Sequence, residues 1–257
     1  MSQQEQKWPD LIYLVRHGES AGNVARRLAY EAGHPVIDIP HRDMDVPLSE
    51  LGFDQARVLG RWFKSLPDDQ KPTVVLSSPY VRACQTSQTL LEAAEIDREE
   101  ITFISDERLR EKEFGILDRL TAHGIEQRYP EQAEMRRALG KFYHRPPGGE
   151  SWTDVILRLR SVIDTITREY RRERVLIVCH TVVVLCFRYL FERLDERQIL
   201  EIDQEHDIAN CSVTSYRFDQ AAGKHGKLKL ELFNFVAPLS EAGERITTAP
   251  DVPVAPK

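Results

Sequence analysis

The chain lacks the patterns that organise a protein around a structural metal, a disulfide framework or a membrane. Its four cysteines, Cys84, Cys179, Cys186 and Cys211, form no CxxC pair, so neither a zinc ribbon nor a disulfide scaffold is indicated. The longest apolar run, Thr181–Phe187, is far shorter than the roughly 20 residues a spanning helix needs. The amino-terminal Met1–Asp10 is polar and has no signal-peptide apolar stretch. Positive charge is not in excess either: 35 Lys and Arg stand against 41 Asp and Glu, for a formal net charge of −6. That balance gives no broad electrostatic reason to bind nucleic acid or an anionic membrane, although a local arginine cluster can still take a small anion. No repeat is visible, and nothing reads as a coiled coil or a dimer face, so the oligomeric state is unknown. The expectation is a cytoplasmic protein with no nucleic-acid or membrane partner.

What remains is an ordinary globular composition, 41% hydrophobic and 30% charged over 257 residues. That length can bury a full core. With no internal linker, residues 1–240 are expected to form one domain and the Ala/Pro-rich residues 241–257 a disordered tail.

Short apolar runs at Leu11–Val15, Thr73–Ser77 and Arg174–Cys179 suit strands buried on both faces of a parallel sheet. Ile101–Ser105 reads as a further strand, and Ser212–Phe218 and Lys227–Phe235 as late, antiparallel ones. A helix is expected to open over Glu19–Arg27. Ser49 caps another reaching about Ser65, and Ser78-Pro79 opens a third with Arg82 in its first turn. Weaker helical patterns cover about Thr121–Tyr129 and Glu131–Leu139. Ser151 and Asp154 form a capping box before the clearest amphipathic helix, in which Val155, Ile156, Leu159, Val162 and Ile166 recur at threes and fours. An apolar helix follows His180 to about Leu194. Leu28–Pro47 and Lys141–Glu150 carry no period and read as loops, the first as a binding loop or a disordered segment.

Two strands thus end in histidine, at His17 and His180, and a third ends beside Arg82. If the three are parallel neighbours, these residues converge at the carboxyl edge of the sheet, where open α/β sheets bind ligands. Arg16 and Arg82 suit phosphoryl oxygens, which planar guanidinium donors match. Two adjacent cations also favour the neutral, nucleophilic form of His17. Gly18 would let a ligand approach the backbone. The histidines have no helical i, i+4 spacing and no carboxylate in register with them, so no metal and no cofactor is expected.

Arg16-His17-Gly18-Glu19-Ser20, with Asn23 behind it, resembles the signature of the histidine phosphatase superfamily, the phosphoglycerate mutase-like proteins. The resemblance continues through Leu48–Gly52, Ser77–Thr86, Leu109–Gly115, Pro147–Ser151 and Val175–His180. It implies a three-layer α/β/α sandwich with a mainly parallel central sheet, and a phosphomonoester hydrolase acting on a small phosphorylated substrate. His17 would attack phosphorus and become a phosphohistidine. Arg16, Arg82 and His180 would hold the phosphoryl oxygens, with Asn23 adding a hydrogen bond and Gly18 and Thr181 beside the substrate. Glu111, at the Leu-x-Glu position of the motif, aligns with the proton donor; Glu113 is the rival two residues on.

Three positions depart from the mutases: Thr181 replaces the glycine after the second histidine, Gly22 stands where they carry Trp, and Arg26–Pro47 is longer. Thr181 and the Gly149-Glu150-Ser151 loop are closer to the fructose-2,6-bisphosphatase domain of the family. These features put phosphatase ahead of mutase. Arg136 and Arg137 resemble a mutase arginine pair, with a solvated helix face as the favoured reading. A non-catalytic binding protein on the same fold stands third. Selectivity is assigned to Leu28–Pro47 and Thr121–Arg145, with Tyr30, His34, His41, Arg42, Arg128 and Arg145 as pocket candidates.

Overall fold

The computed structural model describes residues 6–248. Its strands are β1 (Leu11–Arg16), β2 (Val74–Ser77), β3 (Thr102–Ser105), β4 (Arg174–Cys179), β5 (Val213–Asp219) and β6 (Lys227–Phe235). They form one sheet in the order β3-β2-β4-β1-β5-β6. The first four of that order run parallel; β5 and β6 extend the sheet antiparallel. The helices are α1 (Ala21–Glu31), α2 (Glu50–Ser65), α3 (Val81–Ala94), α4 (Ala122–Arg128), α5 (Pro130–Tyr143), α6 (Trp152–Glu169), α7 (Thr181–Glu192), α8 (Glu196–Glu205) and α9 (Ala237–Glu241).

Alternation along the central strands builds the three layers. Ile12 and Leu14 of β1 and Val175 and Ile177 of β4 face a core shared with Val155, Leu159, Val162 and Ile166 of α6 and Val183 and Phe187 of α7. Leu11, Tyr13 and Val15, with Leu176 and Val178, face the other side, against Leu59 and Phe63 of α2 and Leu90 and Leu91 of α3. Successive side chains of a strand point to opposite faces, so a continuous apolar run feeds both layers at once. Each such side chain contributes roughly 1.5–3 kcal/mol on burial.

Helix starts follow the capping residues. Ser20 and Asn23 cap α1 reciprocally, as do Ser151 and Asp154 on α6, and Ser49 accepts from the Gly52 N–H at the start of α2. Because Ser20 is the cap, α1 begins two residues later than expected and takes in Leu28–Glu31. The rest of the 28–47 segment is irregular but not loose. Its Val36 bridges Leu120, its Ile37 N–H donates to the Arg119 carbonyl at 2.8 Å, and Asp43–Asp45 form a 3-10 turn. Residues 141–143, expected in a loop, continue α5 past a kink where Gly140 takes φ 79°.

Helix α8 was not anticipated, although Asp195 and Gln198 form a capping box at its start. Of residues 241–248, assigned to the tail, Thr247 is buried and bonded to both Gln55 and Asn210. The remainder of that expected tail lies outside the described residues.

Candidate active site

Strand register brings the two histidines together. Arg16 of β1 pairs with Cys179 of β4, and Ser77 of β2 with Val178. Three parallel strands therefore end at one level, and the residues that follow them, His17, Ser78 and His180, share one edge. The rings of His17 and His180 are 5.1 Å apart, and those of His180 and Tyr80 are 5.2 Å apart.

The backbone fixes the chemistry of His17. Its Nδ1 lies 2.7 Å from the Gly18 carbonyl oxygen. A carbonyl only accepts, so Nδ1 carries the proton and Nε2 keeps its lone pair. Arg82 Nε donates to that Nε2 at 3.3 Å, which agrees with this tautomer. Burial holds the His17 pKa well below the ordinary value, and the charges of Arg82 and Arg16 lower it further. His180 is depressed the same way, by burial first and then Arg82. Both rings are neutral at physiological pH. His180 Nε2 is 2.8 Å from Ser78 Oγ, whereas its buried Nδ1 has no hydrogen-bond partner among the described residues.

Arg82 is buried in the first turn of α3 and stacks over Tyr80, its guanidinium carbon 4.9 Å from the ring centroid. Asp43, from the 3-10 turn of the 28–47 segment, is ion-paired with it at 3.1 Å. Arg16 is buried at the end of β1 and donates to the Ile208 carbonyl. Helix α7 begins at Thr181, so its first-turn N–H groups and positive end lie against the pocket wall to which Thr181 contributes.

One pocket is lined by Arg16, His17, Asn23, Arg82, Glu111 and Thr181. His180 is fully buried, its ring 5.1 Å from that of His17, and is not among the residues lining this pocket. Glu111 is buried on the wall and accepts from the Lys112 N–H at 2.9 Å. Its loop is held by Arg158 of α6, which donates to the carbonyls of Arg108 and Glu111 and pairs with Glu150 at 3.0 Å. Glu113 turns away: it accepts from the Tyr80 hydroxyl at 2.7 Å and is not on the wall.

Gly18 was expected to admit ligand to the backbone, but it does not line the pocket. A Cβ there would meet the Gly52 carbonyl oxygen at 2.5 Å, and one at Gly52 would meet the Glu19 oxygen at 2.0 Å. The two glycines let the turn after β1 pass against the first turn of α2, so the requirement is packing.

The outer wall also differs from expectation. The 28–47 segment supplies Ile37, Ile39, His41, Asp43 and Val46, but nothing from Thr121–Arg145 reaches it; Phe114, Asp118 and Arg119 do instead. Of the loop candidates only His41 is on the wall; Tyr30, His34, Arg42, Arg128 and Arg145 are not, nor are Arg136 and Arg137. Arg26 was missed, although it sits one turn past Asn23 on the same face of α1. Asp118 has its pKa raised by burial and then by the nearby charge of Asp43. Nothing local in the sequence marks Asp43, Asp118 or Arg119, because the pairing of two distant segments brings them there.

The chain is similar to several known proteins. A 6-phosphofructo-2-kinase/fructose-2,6-bisphosphatase of Caenorhabditis elegans is 32% identical over 225 residues, covering 84% of this chain and 43% of that protein. The chain thus spans less than half the length of that curated relative. Among solved structures, Bacillus stearothermophilus YhfR superimposes with a TM-score of 0.68 at 25% identity, covering 89% of this chain and 98% of that one. A mycobacterial glucosyl-3-phosphoglycerate phosphatase in complex with inorganic phosphate has the same fold, with a TM-score of 0.65 at 21% identity over 89% of this chain and 99% of that one. The model of the histidine phosphatase superfamily (branch 1) matches residues 12–230. With its two histidines leaving adjacent parallel strands and that match spanning most of its length, the chain belongs to the histidine phosphatase superfamily.

Proposed function

We propose that the protein hydrolyses phosphomonoesters of a small substrate through a phosphohistidine on His17. The observation that carries this reading is the His17 tautomer: Nδ1–H is committed to the Gly18 carbonyl, so the nucleophilic lone pair is on Nε2, beside Arg82 in a pocket that Arg16 also lines.

Chemistry proceeds in two displacements. His17 Nε2 attacks phosphorus while the bond to the leaving oxygen breaks, and Arg16, Arg82 and the α7 N-terminus offset the charge on the three equatorial oxygens. His180, neutral and with no Nδ1 partner among the described residues, and Asn23, on the pocket wall, are the proposed additional contacts. Glu111 gives its proton to the leaving oxygen, then takes one from the water that attacks the phosphohistidine, releasing phosphate. Its place on the pocket wall supports Glu111 over Glu113, whose carboxylate is bonded to Tyr80.

Mutase activity is the second reading, since it shares the first displacement. It is disfavoured because Arg136 and Arg137 are off the pocket wall. We further propose one domain and a cytoplasmic location, which the buried thiols of Cys179 and Cys211 suit. Rapid acid or base quench of the protein mixed with p-nitrophenyl phosphate tests the intermediate. An acid-labile, base-stable phosphoryl group on the peptide containing His17 is expected; turnover with no such species, at saturating ester and millisecond quench times, counts against it.

A further inference from the structure

We propose that Asn210 and Thr247 are positioning residues that, together with the Ser20 N–H, hold the amide orientation of Asn23, and so keep a hydrogen-bond donor aimed into the pocket. The inference rests on the phosphoryl-pocket reading above. It comes from a chain of hydrogen bonds in which every donor and acceptor is fixed by the backbone groups at its ends.

The chain starts at the Glu19 N–H, which can only donate and lies 2.9 Å from Gln55 Oε1. Gln55 is therefore oriented with Nε2 on the other side, where it donates to the Arg245 carbonyl at 2.9 Å and to Thr247 Oγ1 at 3.0 Å. Having accepted there, the Thr247 hydroxyl places its single proton on Asn210 Oδ1, 3.0 Å away. Asn210 Nδ2 then donates to the His17 carbonyl at 2.9 Å, which can only accept, and to Asn23 Oδ1 at 3.3 Å. The Ser20 N–H claims the same Asn23 oxygen at 3.0 Å. Two independent donors thus hold Asn23 Oδ1 toward the protein, leaving Nδ2 as the amide group for the pocket that Asn23 lines.

The relay is buried: Gln55 and Asn210 are 0% exposed and Thr247 is 7% exposed. Asn210 also donates its backbone N–H to the Thr247 carbonyl at 2.9 Å. Thr247 lies beyond residues 12–230, the span matched by the family model. The chemical consequence of the relay is one of sign. A phosphoryl oxygen needs a donor, and an Asn23 amide turned the other way would offer it an acceptor.

The test compares Thr247→Val, Thr247→Ser and the isosteric Asn210→Asp in the full chain, each checked for folding by its melting temperature. Two readouts are used: inorganic phosphate binding by calorimetry, and the pH profile and kcat/KM for p-nitrophenyl phosphate. All variants are repeated in an Asn23→Ala background. Thr247→Val and Asn210→Asp are expected to weaken phosphate binding and lower kcat/KM about tenfold, the scale of one misdirected buried hydrogen bond. Thr247→Ser stays within about twofold of wild type, because it keeps the hydroxyl. In the Asn23→Ala background the losses disappear. Folded variants with wild-type phosphate binding, or equal losses with and without Asn23, overturn the proposal. The phosphate-binding readout separates it from the hydrolysis reading: coupling seen in binding by a protein that turns over no ester upholds the relay and sinks the hydrolysis. Wild-type protein that binds no phosphate overturns both.

Discussion

Arg82 Nε donates to His17 Nε2 at 3.3 Å, the atom proposed above to attack phosphorus. In the proposed mechanism Arg82 has two roles, binding a phosphoryl oxygen and adding to the burial that holds the His17 pKa below its ordinary value. Its two roles separate by substitution. Arg82→Ala is expected to lower kcat/KM by about a hundredfold or more, the scale of losing one preorganised donor. It should also move the acid limb of the pH–rate profile upward, because His17 regains basicity when the cation leaves. Arg82→Lys keeps the charge, so the acid limb stays near its wild-type position while the rate still falls for want of the planar fork. Full pH–rate profiles of both variants check this.

Glu111 and Glu113 are distinguished by leaving group. Protonation matters for an alkoxide and little for p-nitrophenolate. Glu111→Gln is expected to lose about 10²–10⁴-fold on alkyl phosphates, the range for general-acid removal, and far less in the first displacement on p-nitrophenyl phosphate. Glu113→Gln should stay within a few-fold on both, since it alters contacts with Tyr80 and Arg110 away from the pocket wall. Single-turnover rates on the two ester types decide between them.

Three buried histidines set the acid side of stability. His17 and His180 are held neutral by burial and adjacent cations, and His144 is lowered to about 4 by burial with Arg136 and Lys112 nearby. In the unfolded chain each takes up a proton near the ordinary value of 6.5. The unfolded state then binds more protons than the native one, so stability is full above that value and falls as pH drops below it. Each contributes a slope of up to about 1.4 kcal/mol per pH unit. Denaturant midpoints should decline from pH 7 toward pH 5, and His144→Gln should flatten part of that decline without altering the pocket. A midpoint that is level or rises over this range contradicts the assignment.

The local part of this architecture was legible in the sequence. Leu11–Val15 and Arg174–Cys179 could be read as buried strands because unbroken apolar runs suit only two-sided burial. Ser49 and Ser151 marked helix starts because a hydroxyl satisfies first-turn N–H groups wherever the helix packs. The convergence of Arg16, His17, Arg82 and His180 followed from strand ends sharing one sheet edge.

Contacts between distant segments were not legible. Asp43 reaches Arg82, and Arg119 meets the 28–47 segment, through pairing that no local period encodes. The close approach of Gly18 to Gly52 is of the same kind, since it joins segments far apart in the chain. Thr247 looked like part of an Ala/Pro-rich tail, and only its partners Gln55 and Asn210 show otherwise.

Phosphate release from a panel of phosphomonoesters, run on wild type beside folded His17→Ala and with 3-phosphoglycerate included, tests the central claim most directly. The account predicts release by wild type, unaffected by chelator, and none above background by His17→Ala. Release that survives His17→Ala, or isomerisation of 3-phosphoglycerate with little free phosphate, would contradict it.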